Sequence, residues 1–316
     1  MKSALPHIPA VFAATLAFMT ASCAHKAIEC PAASAGIEIR FEWDRAAGAD
    51  VDGMSLFFYP LDSYSRQWRF DIAGRDGGPV ELPPGSYRLV ACNNDLPGTA
   101  IDGTGSLSTV CASASRPVAD GVYASTGMLY GAVVSEIEVT PCGVRYTSSD
   151  GTVKECGRGL VRCSPDSLST LYTLCISRVS GLEHVRTVAA DLSPVVSAVN
   201  LATQQPGGSS DAALRMSLAA DRTLHTLSGS GCAFGAPAQP PECRLSLLIA
   251  LAGGKTVART IEIAPEQMNI ASPHNVIIKI DGLELPDDDT GSDDVGGIDA
   301  AVDGWTVVEI SPEPDM

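Results

Sequence analysis

The stretch FDIAGRDGGPVELPPGSYRLVACNND, residues 70–95, decides the fold predicted for this chain. Apolar and polar residues alternate at its start, glycines and prolines interrupt its middle, and residues 87–92 are again mainly apolar. Pro84 fixes the φ angle that one corner of a β-turn requires, and Gly85 accepts the positive φ of the next corner. We therefore predict strand, turn, short strand, turn and strand, which together form a β-meander. The stretch assembles no nucleophile, metal-ligand set or phosphate cradle, so its predicted role is architectural.

Strand patterns continue on both sides of this stretch and predict an all-β fold. Ile37, Ile39 and Phe41 alternate with charged residues, as in a half-buried strand. Other strands of the first half are predicted at residues 54–59, 68–72, 128–134, 137–139 and 144–147. A second series of strands is predicted further along, at residues 171–177, 185–190, 195–201, 214–219, 223–227, 244–251, 257–263 and 275–280.

Frequent turns between these short strands indicate two tandem β-sandwiches. The segment at 148–167 is polar and Gly-rich, which predicts a domain boundary near residue 165. The predicted N-terminal sandwich therefore covers residues 37–165, and the predicted C-terminal sandwich covers residues 166–285. Residues 96–122 and 229–242 have little periodicity and are predicted as loops.

The chain is strongly acidic, which limits its partners. It has 316 residues, long enough for two domains, and 21 Lys plus Arg against 37 Asp plus Glu give a net charge of −16. A protein of this charge repels polyphosphate, and no basic stripe alternates with aromatic residues. We therefore predict no nucleic-acid partner.

The first 22 residues predict a signal peptide. Lys2 precedes an apolar run at residues 8–19, which is too short for a permanent membrane span, and small residues then lead into Cys23. A Cys in this place is what bacterial lipoprotein maturation acylates, although Thr20 stands where the motif usually has Leu. We predict a lipid, palmitate included, on Cys23 and a tether at residues 23–36. The alternative is an ordinary secretory signal with an incidental Cys.

Cysteine usage predicts disulfides and no metal site. Nine of the ten cysteines remain if Cys23 is lipidated, which allows at most four bridges in an exported protein. Cys92 and Cys175 lie within predicted strands, where buried thiols are expected. A Cys-x-x-Cys motif is absent and the five His are scattered, so a zinc site is not predicted. The candidate disulfide partners are Cys142, Cys156, Cys163, Cys232 and Cys243.

The final segment, residues 286–316, is predicted to be an acidic linker followed by a last strand. It holds ten acidic residues and no Lys or Arg. Residues 289–292 spell DTGS, the tetrapeptide of aspartic proteases, but the motif occurs once and lies in an acidic run. Calcium binding by residues 287–294 is a second reading, although Gly291 falls where an EF-hand places a ligand. A solvated linker is favoured over both.

Several motifs resemble a family of Bacteroidales surface lipoproteins of largely unknown function, near the fimbrillins and the fimbrial anchor proteins. They are RFEWD (40–44), GMSLFFYP (53–60), GRDGG followed by LPPGSYRLVACNND, GIDAAVDGW (297–305), AADLSPVVSAVNLA (189–202) and SGSGCAFGAP (228–237). The resemblance covers about residues 36–310. It implies two transthyretin-like β-sandwiches behind a lipoprotein signal peptide, lipid anchoring to the outer membrane and, in the anchor subgroup, attachment of a fimbrial shaft. Cys23 is the one functional residue that it carries over.

The predicted function is that of a surface lipoprotein of the outer membrane, without a cofactor, that acts by protein contact. It would serve as a fimbrial anchor or accessory subunit in cell adhesion, with fimbrial or other surface proteins as partners. An open sheet edge can accept a partner's strand through backbone hydrogen bonds.

Two other classes of function are less well supported by the sequence. The alternative is a glycan- or small-ligand-binding surface lipoprotein, which usually needs exposed aromatic platforms. Trp43 and Trp68 fall on apolar strand faces, so core packing is predicted for both. An enzyme is not predicted, because the sequence has no G-x-S-x-G, no H-E-x-x-H and no placed Cys/His pair.

Overall fold

The computed structural model describes residues 35–62, 66–148, 151–156, 159–208, 211–235, 243–272, 274–286 and 306–307. The described residues are almost all in strands and turns, with two short 3₁₀ helices, Leu182–His184 and Pro265–Gln267. The all-β prediction with β-sandwich domains is therefore confirmed. The predicted signal peptide, Cys23 and the acidic run at 287–294 lie outside the described residues.

The strands of the first half pack as a sandwich of a large sheet and a small one. The strands of the first half are β1 (Ala35–Phe41), β2 (Gly53–Pro60), β3 (Trp68–Ala73), β4 (Gly77–Leu82), β5 (Gly85–Asn93), β6 (Thr99–Asp102), β7 (Cys111–Ala114), β8 (Pro117–Ala119), β9 (Val122–Ala124), β10 (Tyr130–Thr140), β11 (Gly143–Thr147), β12 (Val153–Cys156), β13 (Leu160–Cys163) and β14 (Asp166–Ser167). The large sheet has the order β12-β11-β10-β5-β2-β3, with β14 beside β10, and the small one has the order β13-β1-β4.

The predicted meander at residues 70–95 is wrong in its pairing. Its outer strands, β3 and β5, both pair with β2, whereas β4 crosses to the small sheet and pairs with β1. Val80 and Leu82 thereby enter the core from the opposite side. The turn residues specify where the chain reverses, but the burial of these two side chains decides which sheet the next strand joins.

Gly77 permits the close approach of β4 to β1. Its φ is +103°, and a Cβ at this position would lie 2.1 Å from the carbonyl oxygen of Ile39. No residue with a side chain fits there without moving the backbone of one strand. The sequence predicts Gly77 as a turn residue, and the packing of the small sheet also requires a glycine at this position.

The second half forms a sandwich in which one strand belongs to both layers. Its strands are β15 (Ser169–Ser180), β16 (Val185–Val195), β17 (Ala198–Asn200), β18 (Pro206–Gly207), β19 (Ala212–Asp221), β20 (Thr226–Phe234), β21 (Cys243–Leu251), β22 (Thr256–Ile263), β23 (Met268–Ser272), β24 (Asn275–Glu284) and β25 (Thr306–Val307). The strand order is β23-β24-β15-β20-β19-β16-β21-β22-β25. β19 pairs with β16 as far as Leu218, and its last residues, from Ala219, pair with β20.

The two halves of the chain exchange strands. The β8-β9 hairpin leaves the first half and pairs through β9, in parallel, with β19 of the second. In the other direction, β17 and β18 join β7 and β6 in a sheet of order β18-β17-β7-β6. Each half of the chain, residues 37–165 and residues 166–285, therefore contributes strands to a sheet of the other half.

A third apolar cluster lies where the two halves meet, apart from the core of each sandwich. We call it the joint cluster. It contains Phe57, Val90, Leu129, Val199 and Phe234, which come from both halves of the chain. All five are at most 1% exposed. The two sandwiches consequently share a buried apolar interface.

Several strands lie where loops were predicted. β6, β7 and β8 fall within residues 96–122, and β20 includes residues 229–234. In β20, a Cβ at Gly229 would lie 2.5 Å from the carbonyl oxygen of Ser217 on the neighbouring strand. Small residues are required there by close packing, and their low β-propensity concealed the strand.

We expect Gly77→Ala to lower the free energy of unfolding by about 3 kcal/mol, because it adds a backbone clash to a positive φ. Gly74→Ala is the matched control: its φ is +82°, and nothing lies within 4 Å of an added Cβ. The control should cost about 1 kcal/mol. Urea unfolding followed by circular dichroism measures both, and equal losses would contradict the packing requirement.

Candidate functional site

Residues 125–129 fix the two sandwiches to each other. The backbone N–H and the hydroxyl of Thr126 both donate to the carbonyl oxygen of Cys232, at 3.1 Å. The N–H of Cys232 donates to the Ser125 hydroxyl at 2.9 Å, and the N–H of Leu129 donates to the Ser169 hydroxyl at 3.1 Å. These contacts link the first half to β15 and β20, so surfaces on the two sandwiches are held in a fixed relation.

The two described tryptophans have different environments. Trp43 is buried as predicted, its ring N–H donates to the carbonyl oxygen of Arg75 at 2.8 Å, and the Arg75 guanidinium lies 5.1 Å from the ring centre. Trp68 is 38% exposed, so its predicted core position is wrong. It lies at the start of β3, at the edge of the large sheet, opposite Phe58 in the strand register.

The candidate disulfide cysteines lie in different surroundings. Cys163, Cys232 and Cys243 are buried in strands, whereas Cys142 is exposed in the turn after β10. Cys142 and Cys156 line the same cleft. Cys142, Cys163, Cys232 and Cys243 are free thiols in the structure, and a disulfide within the set of these four and Cys156 stays a prediction.

Burial decides the reactivity of the thiols. Burial raises the pKa of Cys92 and of Cys163 to about 12, so neither is a thiolate at neutral pH. Cys92 is buried as predicted, but Cys175 is exposed, because its side chain lies on the outer face of β15. The prediction of a buried Cys175 is therefore wrong.

The described clefts are lined by ordinary surface groups. One, of about 380 Å³, is lined by Glu138, Thr140, Arg145 and Glu155 among others. The Arg145 Nε donates to Glu138 at 2.9 Å, and this hydrogen bond raises the pKa of Arg145 above its usual value. Within the described residues, no three His, Cys, Asp or Glu side chains are grouped to hold a metal ion.

A half-buried ion pair lies on the outer face of the second sandwich. Arg215 on β19 donates from Nε and Nη2 to the two carboxylate oxygens of Asp191 on β16, at 2.7 and 2.6 Å. The two residues are directly opposite in the strand register. Because this bidentate contact joins facing residues of neighbouring strands, its role is to hold β16 and β19 together.

Free sheet edges are the described surfaces that best suit protein contact. β3 and β12 bound the large sheet of the first sandwich, β4 and β13 bound the small sheet, and β23 is an edge of the second sandwich. Edge strands present unpaired backbone groups that can hydrogen-bond to an extended segment of a partner. No described helix is long and apolar enough to cross a membrane.

Comparisons with known proteins agree with this architecture. The family model for a domain of unknown function, DUF5119, matches residues 22–216. A candidate adhesin from Bacteroides ovatus has a similar fold, with a TM-score of 0.60 and 18% identity over 84% of this chain and 98% of that chain. A candidate polysaccharide-binding protein from Bacteroides thetaiotaomicron gives a TM-score of 0.52 and 14% identity over 78% of this chain and 90% of that chain.

A third similar structure is the fimbrial anchor protein Mfa2 from Porphyromonas gingivalis, with a TM-score of 0.48 and 9% identity over 78% of this chain and 90% of that chain. No curated protein sequence matches the chain. The architecture defines a two-sandwich, all-β protein. The chain belongs to the DUF5119 family, and the predicted resemblance is confirmed at the level of this family model and of the fold.

We expect thiol labelling of the native protein to separate the cysteines by exposure. Cys142 and Cys175 should react with a maleimide within minutes, whereas Cys92 and Cys163 should react only after unfolding, because both are buried and have a raised pKa. Peptide mass spectrometry identifies the labelled sites. Protection of Cys142 that is removed by a reductant would contradict the free thiol and confirm a disulfide at this residue.

Proposed function

We propose that this protein is a lipoprotein of the bacterial cell surface, anchored in the outer membrane through Cys23, that acts as a fimbrial anchor or accessory subunit. It works by contact with other surface proteins and not by catalysis. The observation that carries this proposal is the fold shared with the candidate adhesin of Bacteroides ovatus, which extends over 98% of that chain.

The position of the first described strand supports the anchoring step. β1 begins at Ala35, so eleven residues separate it from Cys23. An extended chain of this length spans about 40 Å. Two or three acyl chains on Cys23 hold a protein firmly to a bilayer, and the tether then lets the sandwiches stand clear of the lipid headgroups.

The joint between the sandwiches supports a role in carrying a partner. The joint cluster and the exchanged strands bury apolar side chains between the two halves of the chain. A binding partner held at one sandwich is therefore held in a fixed orientation to the other. A two-sandwich protein of this kind suits the base or the side of a fibre. There the fixed position of the bound partner is more important than a deep binding pocket.

The anchoring and the fimbrial role are tested together in the native bacterium. We expect Cys23→Ser to abolish incorporation of labelled palmitate and to release the protein from the outer-membrane fraction, with surface fibres reduced in number or attachment. Cys142→Ser is the matched control and should keep both label and fibres. Fibres unchanged in amount, length and attachment after deletion of the whole gene would count against the fimbrial role, whatever the result for Cys23.

The exposure of Trp68 favours a second candidate function, glycan binding at the surface. Trp68 is 38% exposed. An exposed indole can stack on a sugar ring. The likeness in fold to a candidate polysaccharide-binding protein adds support.

A glycan array with residues 24–316 tests this second function. If it is correct, we expect hits of micromolar affinity that Trp68→Ala weakens by about tenfold or more, since the substitution removes the stacking surface. Trp68→Phe should retain much of the binding. An array without hits, or hits that are unchanged in Trp68→Ala, would rule out this edge as the glycan site.

A further inference from the structure

One end of the first sandwich gathers the start of β1 and several strand connections. Ala35, where β1 begins, lies opposite Leu82, the last residue of β4. The next turn leads into β5, in which Tyr87 lies opposite Pro60 at the end of β2. The β10–β11 turn and the start of β13 lie at the same end. We call it the tether end, because the chain before Ala35 leads back to Cys23. Its described residues are 35–36, 60–62, 66–68, 82–87, 140–143 and 159–160.

Apolar side chains of the tether end are exposed. Trp68 lies on the same face of the sheet as its register partner Phe58, yet Phe58 is fully buried and Trp68 is 38% exposed. Leu61, whose N–H donates to the carbonyl oxygen of Ser86 at 2.8 Å, is 46% exposed. The turns add further side chains without charge: Pro83, Pro84, Pro141 and Cys142. The tether end therefore presents an indole ring, a leucine and several prolines to its surroundings.

The tether end is also electrically neutral. Among its described residues, Asp62 and Arg66 are the charged ones, so their charges cancel, whereas the whole chain has a net charge of −16. An acidic surface is repelled by the phosphate groups of a lipid bilayer. A neutral, apolar end is the part of such a protein that can approach a bilayer without this repulsion.

We propose that the tether end rests on the bilayer surface, with Trp68 and Leu61 in the interface between the lipid headgroups and the acyl chains. The inference rests on the lipid anchor of the proposed function and adds the orientation of the anchored protein. Tryptophan is favoured at this depth, because its ring is apolar while its N–H can bond to the headgroups. Leucine adds apolar area to a contact of this kind.

The tether makes a weak contact sufficient. Eleven residues separate Ala35 from Cys23, so the tether end cannot move further than about 40 Å from the acylated cysteine. A surface kept this close meets the bilayer at a high effective concentration. The same length of chain would let the sandwiches stand clear of the headgroups. The exposed apolar side chains, and not the tether, therefore decide the orientation.

Vesicles that carry the protein by its tether test the proposal. Residues 24–316 are attached through an N-terminal histidine tag to a nickel-chelating lipid in phosphatidylcholine vesicles, so the result does not depend on acylation of Cys23. We expect lipids brominated near the headgroup to quench tryptophan emission of the wild-type protein, and Trp68→Phe should remove this quenching.

Two leucine variants form a matched pair in the same assay. Leu61→Asp should lower the equilibrium constant of the contact by about tenfold and so remove most of the quenching, because a charge replaces an apolar side chain. Leu224→Asp makes the same change at a 69% exposed leucine of the second sandwich and should leave the quenching unchanged. Circular dichroism checks the fold of each variant, and Leu61→Ser replaces the aspartate variant if that one unfolds.

The two exposed cysteines give a second readout in the same vesicles. Cys142 belongs to the tether end, whereas Cys175 lies on the outer face of β15. With a charged maleimide, attachment to the vesicle should slow the labelling of Cys142 severalfold and leave that of Cys175 unchanged. Leu61→Asp should restore the rate at Cys142.

Emission that brominated lipids do not quench would overturn the proposal, even if Cys23 incorporates palmitate in the bacterium. Quenching that persists in Trp68→Phe, or equal slowing of Cys142 and Cys175, would do the same. Unquenched emission together with glycan binding that Trp68→Ala abolishes would assign this surface to a glycan instead. Quenching without palmitate incorporation would uphold the bilayer contact and reject the lipid anchor.

Discussion

The burial of β2 on both of its faces is the constraint on which the rest of the structure depends. Leu56 and Phe58 point into the core of the first sandwich, while Phe57 and Tyr59 point into the joint cluster. A strand with two apolar faces cannot border solvent on either side. The first sandwich must therefore cover one face of β2, and the strands exchanged with the second half must cover the other. The two sandwiches consequently have to pack together for β2 to be buried on both faces.

Local patterns in the sequence predicted where strands occur better than how they pair. Ile37, Ile39 and Phe41 alternate so regularly that β1 was foreseen, and all three are buried. The pairing of β4 with β1 was missed, because it depends on Gly77 meeting Ile39, nearly forty positions away in the chain. Turn residues determine the local geometry of the chain. The sheet that a strand joins is determined by contacts between apolar faces that are distant in sequence.

The candidate site residues also divide into those that the neighbouring sequence predicts and those whose exposure depends on contacts distant in sequence. The prediction for Cys23 rests on the segment just before it and on a family resemblance, and both are readable along the chain. The exposures of Trp68 and Cys175 depend on whether another layer covers their strands, which an alternating pattern does not record. β23 was not foreseen as a strand, and its property as an edge exists only once β24 lies on one side of it and solvent on the other.

The position of β1 has a mechanical consequence. The strand lies between β13, which runs parallel to it, and β4, which runs antiparallel. A force that pulls residues before Ala35 along the strand loads both hydrogen-bond ladders in shear, so their bonds resist together and do not open one after another. Ile37, Ile39 and Phe41 would have to leave the core in the same step. The chain thus resists tension at the end where the proposed anchor holds it.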